Sequence, residues 1–236
     1  MLTFRTMKTI GLIGGITWYS SIDYYRYVNE LVNKKSGGDE SARVILNSVN
    51  YGEIKDLTYK NEWDAIANII SNAARKTEEA GAECILLCAN TMHNISDKVQ
   101  AAISIPLIHI ADVTANEIQK TELKTVALLG TKYTMKLNFF KDRLLSYGIN
   151  TLIPFEDDIE KINSVIYDEL GKGVFLAETK QLFLTIIEQL RQRGAEGIIL
   201  GCTEIPLLIK SSDCSLPLFD TTFIHAKAAV NFALSE

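Results

Sequence analysis

The sequence has no Cys-x-x-Cys pair and no cysteine–histidine group spaced as zinc ligands are. Four cysteines occur in 236 residues, at 84, 88, 202 and 214. So long and cysteine-poor a chain is not a disulfide scaffold, and a reducing cytoplasm is the expected setting. No apolar run reaches the length of a membrane span, so no membrane partner is expected. The opening Met1-Leu2-Thr3-Phe4-Arg5-Thr6-Met7 lacks the apolar core of a secretion signal; Met7 is read as the functional start, after a loose leader. Basic residues form no patch and the formal net charge is −5, which argues against nucleic acid as a partner. Anionic small substrates stay open, because helix N-termini can make a site locally positive.

What is present is an ordinary globular balance, 47% hydrophobic and 22% charged, enough for one large domain or two small ones. Its organising feature is a doubling. Gly81-Ala82-Glu83 precedes an apolar run that ends in Cys88-Ala89-Asn90-Thr91, and Gly194-Ala195-Glu196 precedes one that ends in Gly201-Cys202-Thr203-Glu204. Each copy reads as a helix-ending glycine, a buried strand, a cysteine at the strand's end, and a polar turn into a helix.

The surrounding segments repeat too. Lys8-Thr9-Ile10-Gly11-Leu12-Ile13-Gly14 is echoed by Lys124-Thr125-Val126-Ala127-Leu128-Leu129-Gly130, and Ile105-Pro106-Leu107 by Leu216-Pro217-Leu218. Between them the pattern predicts a helix capped by Ser20 or Ser21 with Tyr25, Val28 and Val32 inward, and a strand at Val44–Val49. It also predicts a helix from Glu62 to Glu79, a strand over Ile105–His109, and a helix opened by Thr131 with Phe139, Phe140 and Leu144 inward. A strand follows at Asn150–Pro154, then a helix through Phe183, Ile186 and Leu190, and a last helix from Ile224 to Leu234. Strands alternating with helices, twice over, predict α/β architecture: two pseudosymmetric, doubly wound domains with mainly parallel sheets. In such sheets ligands bind at the carboxyl ends of the strands, where both cysteines fall, so the active site is expected in the cleft between the domains.

A lone cysteine is most often a small buried hydrophobe, and that reading suffices for Cys84 and Cys214. Cys88 and Cys202 each precede a helix start, where the dipole is expected to favour the thiolate. Two thiols on opposite faces of one carbon could remove a proton from one side and return one on the other. The histidines, at 93, 109 and 225, offer no evident base; His93 reads as a possible neighbour of Cys88, a cap, or a polar surface group.

Gly14-Gly15 with Trp18-Tyr19-Ser20-Ser21, Cys88-Ala89-Asn90-Thr91 and Gly201-Cys202-Thr203-Glu204 resemble the aspartate/glutamate racemase family over nearly all the chain from Met7. The resemblance implies a racemase that needs no cofactor or metal, acts on an amino acid (aspartate, glutamate or a broader set) as its small-molecule substrate, is a homodimer, and returns its last helix to the first domain. The implied domains are 1–112 with 222–236, and 113–221. Cys88 and Cys202 match the family's acid/base pair, and Asn90, Thr91 and Thr203 its binders of the α-carboxylate and amino group. Thr131 and Thr134 match its Gly-Thr-x-x-Thr turn, with helix capping as the alternative for Thr134. Trp18 and Ser20 fall in its first substrate-facing turn, with core packing and capping as the alternatives. Glu204 stands where dedicated glutamate racemases carry histidine, which leans toward the aspartate or broader branch; a first-turn acid complementing a helix dipole is the other reading. The family's aspartate racemases carry an arginine in the loop after the second strand; here that loop, Asn47–Ile54, holds no basic residue, and Lys172 matches a family lysine for the distal carboxylate or is a solvated loop lysine. Other readings are a related enzyme (hydantoin racemase, maleate isomerase or arylmalonate decarboxylase), an amino-acid-binding module with packed thiols, and, distantly, a structural zinc site.

Overall fold

The computed structural model describes residues 7–235, so the leader expected before Met7 lies outside the described residues. Two compact units divide the chain, Met1–His109 with His225–Glu236, and Ile110–Ile224. As the alternation predicts, each is an α/β unit around a parallel sheet.

In the first unit β1 (Ile10–Gly14) lies between β2 (Val44–Ser48) and β3 (Cys84–Leu87). β1 is buried along its whole length, which is why it reads as a continuous apolar run. Alternate residues serve opposite faces. Ile10 and Leu12 pack with Tyr24, Val28 and Val32 of α1 (Trp18–Ser36). Ile13 packs with Ile66 and Ile70 of α3 (Trp63–Glu79), which follows α2 (Tyr51–Tyr59). The segment after β3 carries α4 (Ser96–Gln100).

The structure corrects several local expectations. Tyr24, not Tyr25, is the inward tyrosine of α1, and Tyr25 is 54% exposed. The segment after β2 is not a loop: Asn50 accepts the Gly52 N–H at 3.1 Å and caps α2, which buries Ile54 and Thr58 one turn apart. The strand at Ile105–His109 shrinks to one bridge, Leu107 beside Ile85, because Pro106 has no N–H and a helix begins at Ile110.

The second unit opens with α5 (Ile110–Gln119) and β4 (Thr125–Gly130). The helix expected after Thr131 breaks at extended Leu137 into α6 (Lys132–Lys136) and α7 (Asn138–Ser146), and only Phe140 and Leu144 of its three apolar residues are fully buried. β5 (Asn150–Leu152), α8 (Glu156–Asp168), α9 (Ala177–Gln192), β6 (Gly197–Gly201), α10 (Ile205–Leu208) and β7 (Leu218–Asp220) follow. The sheet order is β5-β4-β6-β7. Ala127 and Leu129 face α8 and α9; Val126 and Leu128 face α5 and α7. The last helix, α11 (Thr221–Ala233), starts in this unit, and its later residues Ala226, Ala229, Val230 and Ala233 pack with Ile10 and Leu12.

The repeated sequences do the same work in both units. Gly81 and Gly194, at φ +102 and +98, end α3 and α9 in the left-handed region that glycine tolerates. The carboxylate of Glu83 then accepts the Thr9 N–H at 2.7 Å, and that of Glu196 accepts the Lys124 N–H at 2.7 Å. Each glutamate fixes the start of its central strand against the strand that carries the cysteine. The two prolines match as well: the Ile85 N–H reaches the Pro106 carbonyl and the Ile198 N–H the Pro217 carbonyl, each at 2.9 Å.

Candidate active site

Cys88 follows β3 directly, and its N–H donates to the Ile13 carbonyl of β1 at 2.9 Å. Extended Ala89 (φ −151°, ψ 130°) turns the chain into a 3-10 helix, Asn90–Ile95. Asn90 and Thr91 are therefore the first polar side chains beyond the thiol, and both are buried. Cys88 is 1% exposed, and its Sγ–H donates to the Leu86 carbonyl at a long 4.0 Å.

Cys202 takes the corresponding place after β6 and has a different neighbour. Its Sγ–H donates to Oε2 of Glu204 at 2.9 Å, and the same oxygen accepts the Thr203 hydroxyl at 2.6 Å. Glu204 is itself buried and makes no capping bond to α10. Its carboxylate is thus committed to the thiol and the hydroxyl.

At the end of β4, Thr131 caps α6 by accepting the Thr134 N–H at 3.3 Å, and the two hydroxyls lie 3.2 Å apart. Here Gly130 pairs with Gly201. A Cβ on Gly130 would sit 2.8 Å from the Gly201 carbonyl, so the close approach of the strand ends beside Cys202 requires the missing side chain.

The thiolate expectation is reversed. Burial pushes the Cys88 thiol well above its ordinary range, and burial followed by the charge of Glu204 does the same to Cys202. The helices expected to oppose this are slight: a 3-10 turn follows Cys88, and α10 is a single turn. Desolvation wins, and both sulfurs rest as thiols at neutral pH.

The remaining sequence candidates separate. Trp18 opens α1, is 54% exposed and stacks on Tyr19 at 3.7 Å between ring centroids, so it is not a core residue. Ser20 is buried and donates to the Thr17 carbonyl at 2.8 Å. Neither serine occupies the cap position, which belongs to Thr17. Ser21 instead accepts the Gly15 N–H at 2.8 Å and so closes the glycine turn after β1. Lys172 ends a 3-10 turn, is exposed, and lies 3.8 Å from Asp168 in an ion pair. His93 is not a surface group: it is 1% exposed, against His109 and His225. Neither that packing nor the thiol–carboxylate contact was readable from sequence, although the Cys-x-Glu spacing at 202–204 is compatible with a turn that brings the two groups together. Among the described residues, no helix is long and apolar enough to cross a membrane.

Known proteins are similar to this chain over most of its length. The Asp/Glu/hydantoin racemase family profile matches residues 13–229. A crystal structure of a Yersinia pestis protein, provisionally named an Asp/Glu racemase, is 45% identical, with a TM-score of 0.91 over 97% of this chain and 100% of that one. An aspartate racemase homologue from Pyrococcus horikoshii OT3 is 36% identical, with a TM-score of 0.85 over 97% and 100% of the two chains. The broad specificity amino-acid racemase RacX of Bacillus subtilis (strain 168) is 26% identical over 174 residues, 74% of this chain and 75% of its own. With the family profile spanning most of its length, and a cysteine with a polar turn at corresponding strand ends of both units, this chain belongs to the Asp/Glu/hydantoin racemase family.

Proposed function

We propose that the protein racemises an amino acid without a cofactor, using Cys88 and Cys202 as the two acid/base groups. The observation that carries this reading is the 2.9 Å contact between the Cys202 thiol and the buried Glu204 carboxylate. A thiol held neutral by burial and by the charge of Glu204 becomes a base when its proton passes to that same carboxylate. The thiol proton moves to Glu204, and the Cys202 thiolate takes the α-hydrogen of the bound amino acid. The electron pair left on Cα delocalises into the α-carboxylate. The Cys88 thiol then donates its proton to the other face, which inverts the carbon and leaves Cys88 as the thiolate. After release, solvent returns a proton to Cys88 and takes the one on Glu204, which restores the resting pair; the form with Cys88 ionised and Glu204 protonated takes the opposite enantiomer and runs the same steps in reverse. Asn90, Thr91, Thr131, Thr134 and Thr203 are the groups we assign to the α-carboxylate and amino group, and donors aimed at the developing negative charge lower the barrier. Trp18 and Ser20 belong to the turn we place beside the substrate.

The substrate class we favour is broad rather than strictly acidic. Asn47–Ile54 has no cation, and Lys172 is already in an ion pair with Asp168. A relative named for broad specificity supports the same choice. The protein is taken to work as a homodimer in a reducing cytoplasm; its four free cysteines support the compartment.

A circular-dichroism racemisation assay across both enantiomers of the common amino acids tests the function. At least one amino acid should be racemised, and Cys88→Ser and Cys202→Ser should each lower kcat by about 10²-fold or more. Full rate in both variants contradicts the mechanism.

A further inference from the structure

The first unit holds three buried imidazoles in one cluster: His93 packs edge-on against His109 at 4.7 Å and His225 at 5.4 Å between centroids. His109 is the last residue before the chain leaves this unit, and His225 is the first after it returns. The hydrogen bonds fix two of the tautomers. The Ile108 carbonyl can only accept, so His225 donates from Nε2 at 2.7 Å and accepts the Tyr24 hydroxyl at Nδ1, at 2.8 Å. The Ala89 carbonyl likewise can only accept, so His93 donates from Nδ1 at 3.2 Å. Its Nε2 therefore carries a lone pair, and among the described residues it has no hydrogen-bond partner.

Ala89 is the residue between the Cys88 thiol and the Asn90-Thr91 pair. Its carbonyl also receives the Met92 N–H at 3.2 Å, the bond that starts the 3-10 turn. The His93 imidazole adds a second anchor at the same oxygen. His109 and His225 in turn restrict the ring, and burial keeps it neutral, so the donor stays in place over the working pH range.

We infer that His93 is a positioning residue: through Ala89 it fixes the direction in which Cys88 presents its sulfur relative to Asn90 and Thr91. This rests on the racemase reading above. A displacement of about 1 Å between an acid/base group and its substrate costs about 10²-fold in rate, so a lost anchor should show in turnover before it shows in binding.

The test compares His93→Phe, which keeps a ring against His109 and His225 but donates nothing, with His93→Asn, whose amide nitrogen can take the place of Nδ1. Racemisation is measured for whichever amino acid the wild type turns over, with Cys88→Ser alongside. H93F should lose about 10- to 100-fold in kcat with KM within about threefold, and H93N should return to within about fivefold of wild type. A purely structural role would not produce rescue by the smaller side chain. H93F at wild-type kcat, or H93N no better than H93F, overturns the inference. If H93F does not fold, His93→Leu replaces it; failure of both to fold makes His93 a folding residue and also overturns the inference. An active C88S, or a wild type that racemises no amino acid, instead overturns the racemase reading on which the inference rests.

Discussion

Cys88 and Cys202 occupy equivalent strand ends, yet only Cys202 has a carboxylate at hydrogen-bond distance. In the proposed reaction this asymmetry separates the roles: the Cys202 proton has a carboxylate to pass to, and the Cys88 thiol is left as the donor. Glu204→Gln keeps the size and the hydrogen bonds but removes the proton acceptor. It should lower kcat/KM by about 10²-fold and, because the Glu204 charge raises the Cys202 thiol, shift the rate maximum to lower pH; pH–rate profiles of wild type and E204Q check this. If Glu204 only complemented a helix end, the substitution would change little. Sequence alone offered that bland reading, because a residue two places from a cysteine meets it only if the turn curls back.

At the scale of the elements, the duplicated Gly-Ala-Glu explains what the two halves share. Glycine stops the helix, alanine is buried, and the glutamate pins the neighbouring strand. These were legible as a repeat because each residue type is dictated by local backbone geometry. The sheet class was legible for the same reason, since fully buried parallel strands read as unbroken apolar runs. What was not legible depended on tertiary partners. α2 was hidden because Tyr51–Tyr59 buries only Ile54 and Thr58, too few for a visible apolar face. Tyr25 and Tyr24 are both tyrosines, and only contact with Ile10, Leu12 and His225 decides which turns inward. The Gly130–Gly201 pair offers an element-scale prediction. Gly130→Ala places a methyl 2.8 Å from the Gly201 carbonyl and should destabilise the protein by about 1–3 kcal/mol, read by urea unfolding. Alanine without measurable cost would mean that the strand ends are not held as closely as described.

For the whole molecule, acid should be the weak side. Burial lowers the His225 imidazole to about 4 and holds His93 well below its ordinary value. These bases are neutral when folded but take up protons when unfolded, so the unfolded state binds more protons below an unfolded value of about 6.5. Stability is thus complete above that pH and falls as pH drops from there toward 4. For His225 the loss amounts to about 3 kcal/mol. Thermal unfolding between pH 7.5 and 4.5 should show the slope, and His225→Gln should flatten it; an equal slope in both proteins would assign the acid loss to other groups.

The central claim is that two sulfurs serve opposite faces of one carbon, and α-hydrogen exchange in deuterated water tests it most directly. With one thiol removed, the other can still take a proton from its own face and return deuterium there without inversion. Cys88→Ser and Cys202→Ser should each exchange one enantiomer only, the opposite one in each case, while neither racemises. Exchange of the same enantiomer by both variants, or racemisation that persists in both, would contradict the account.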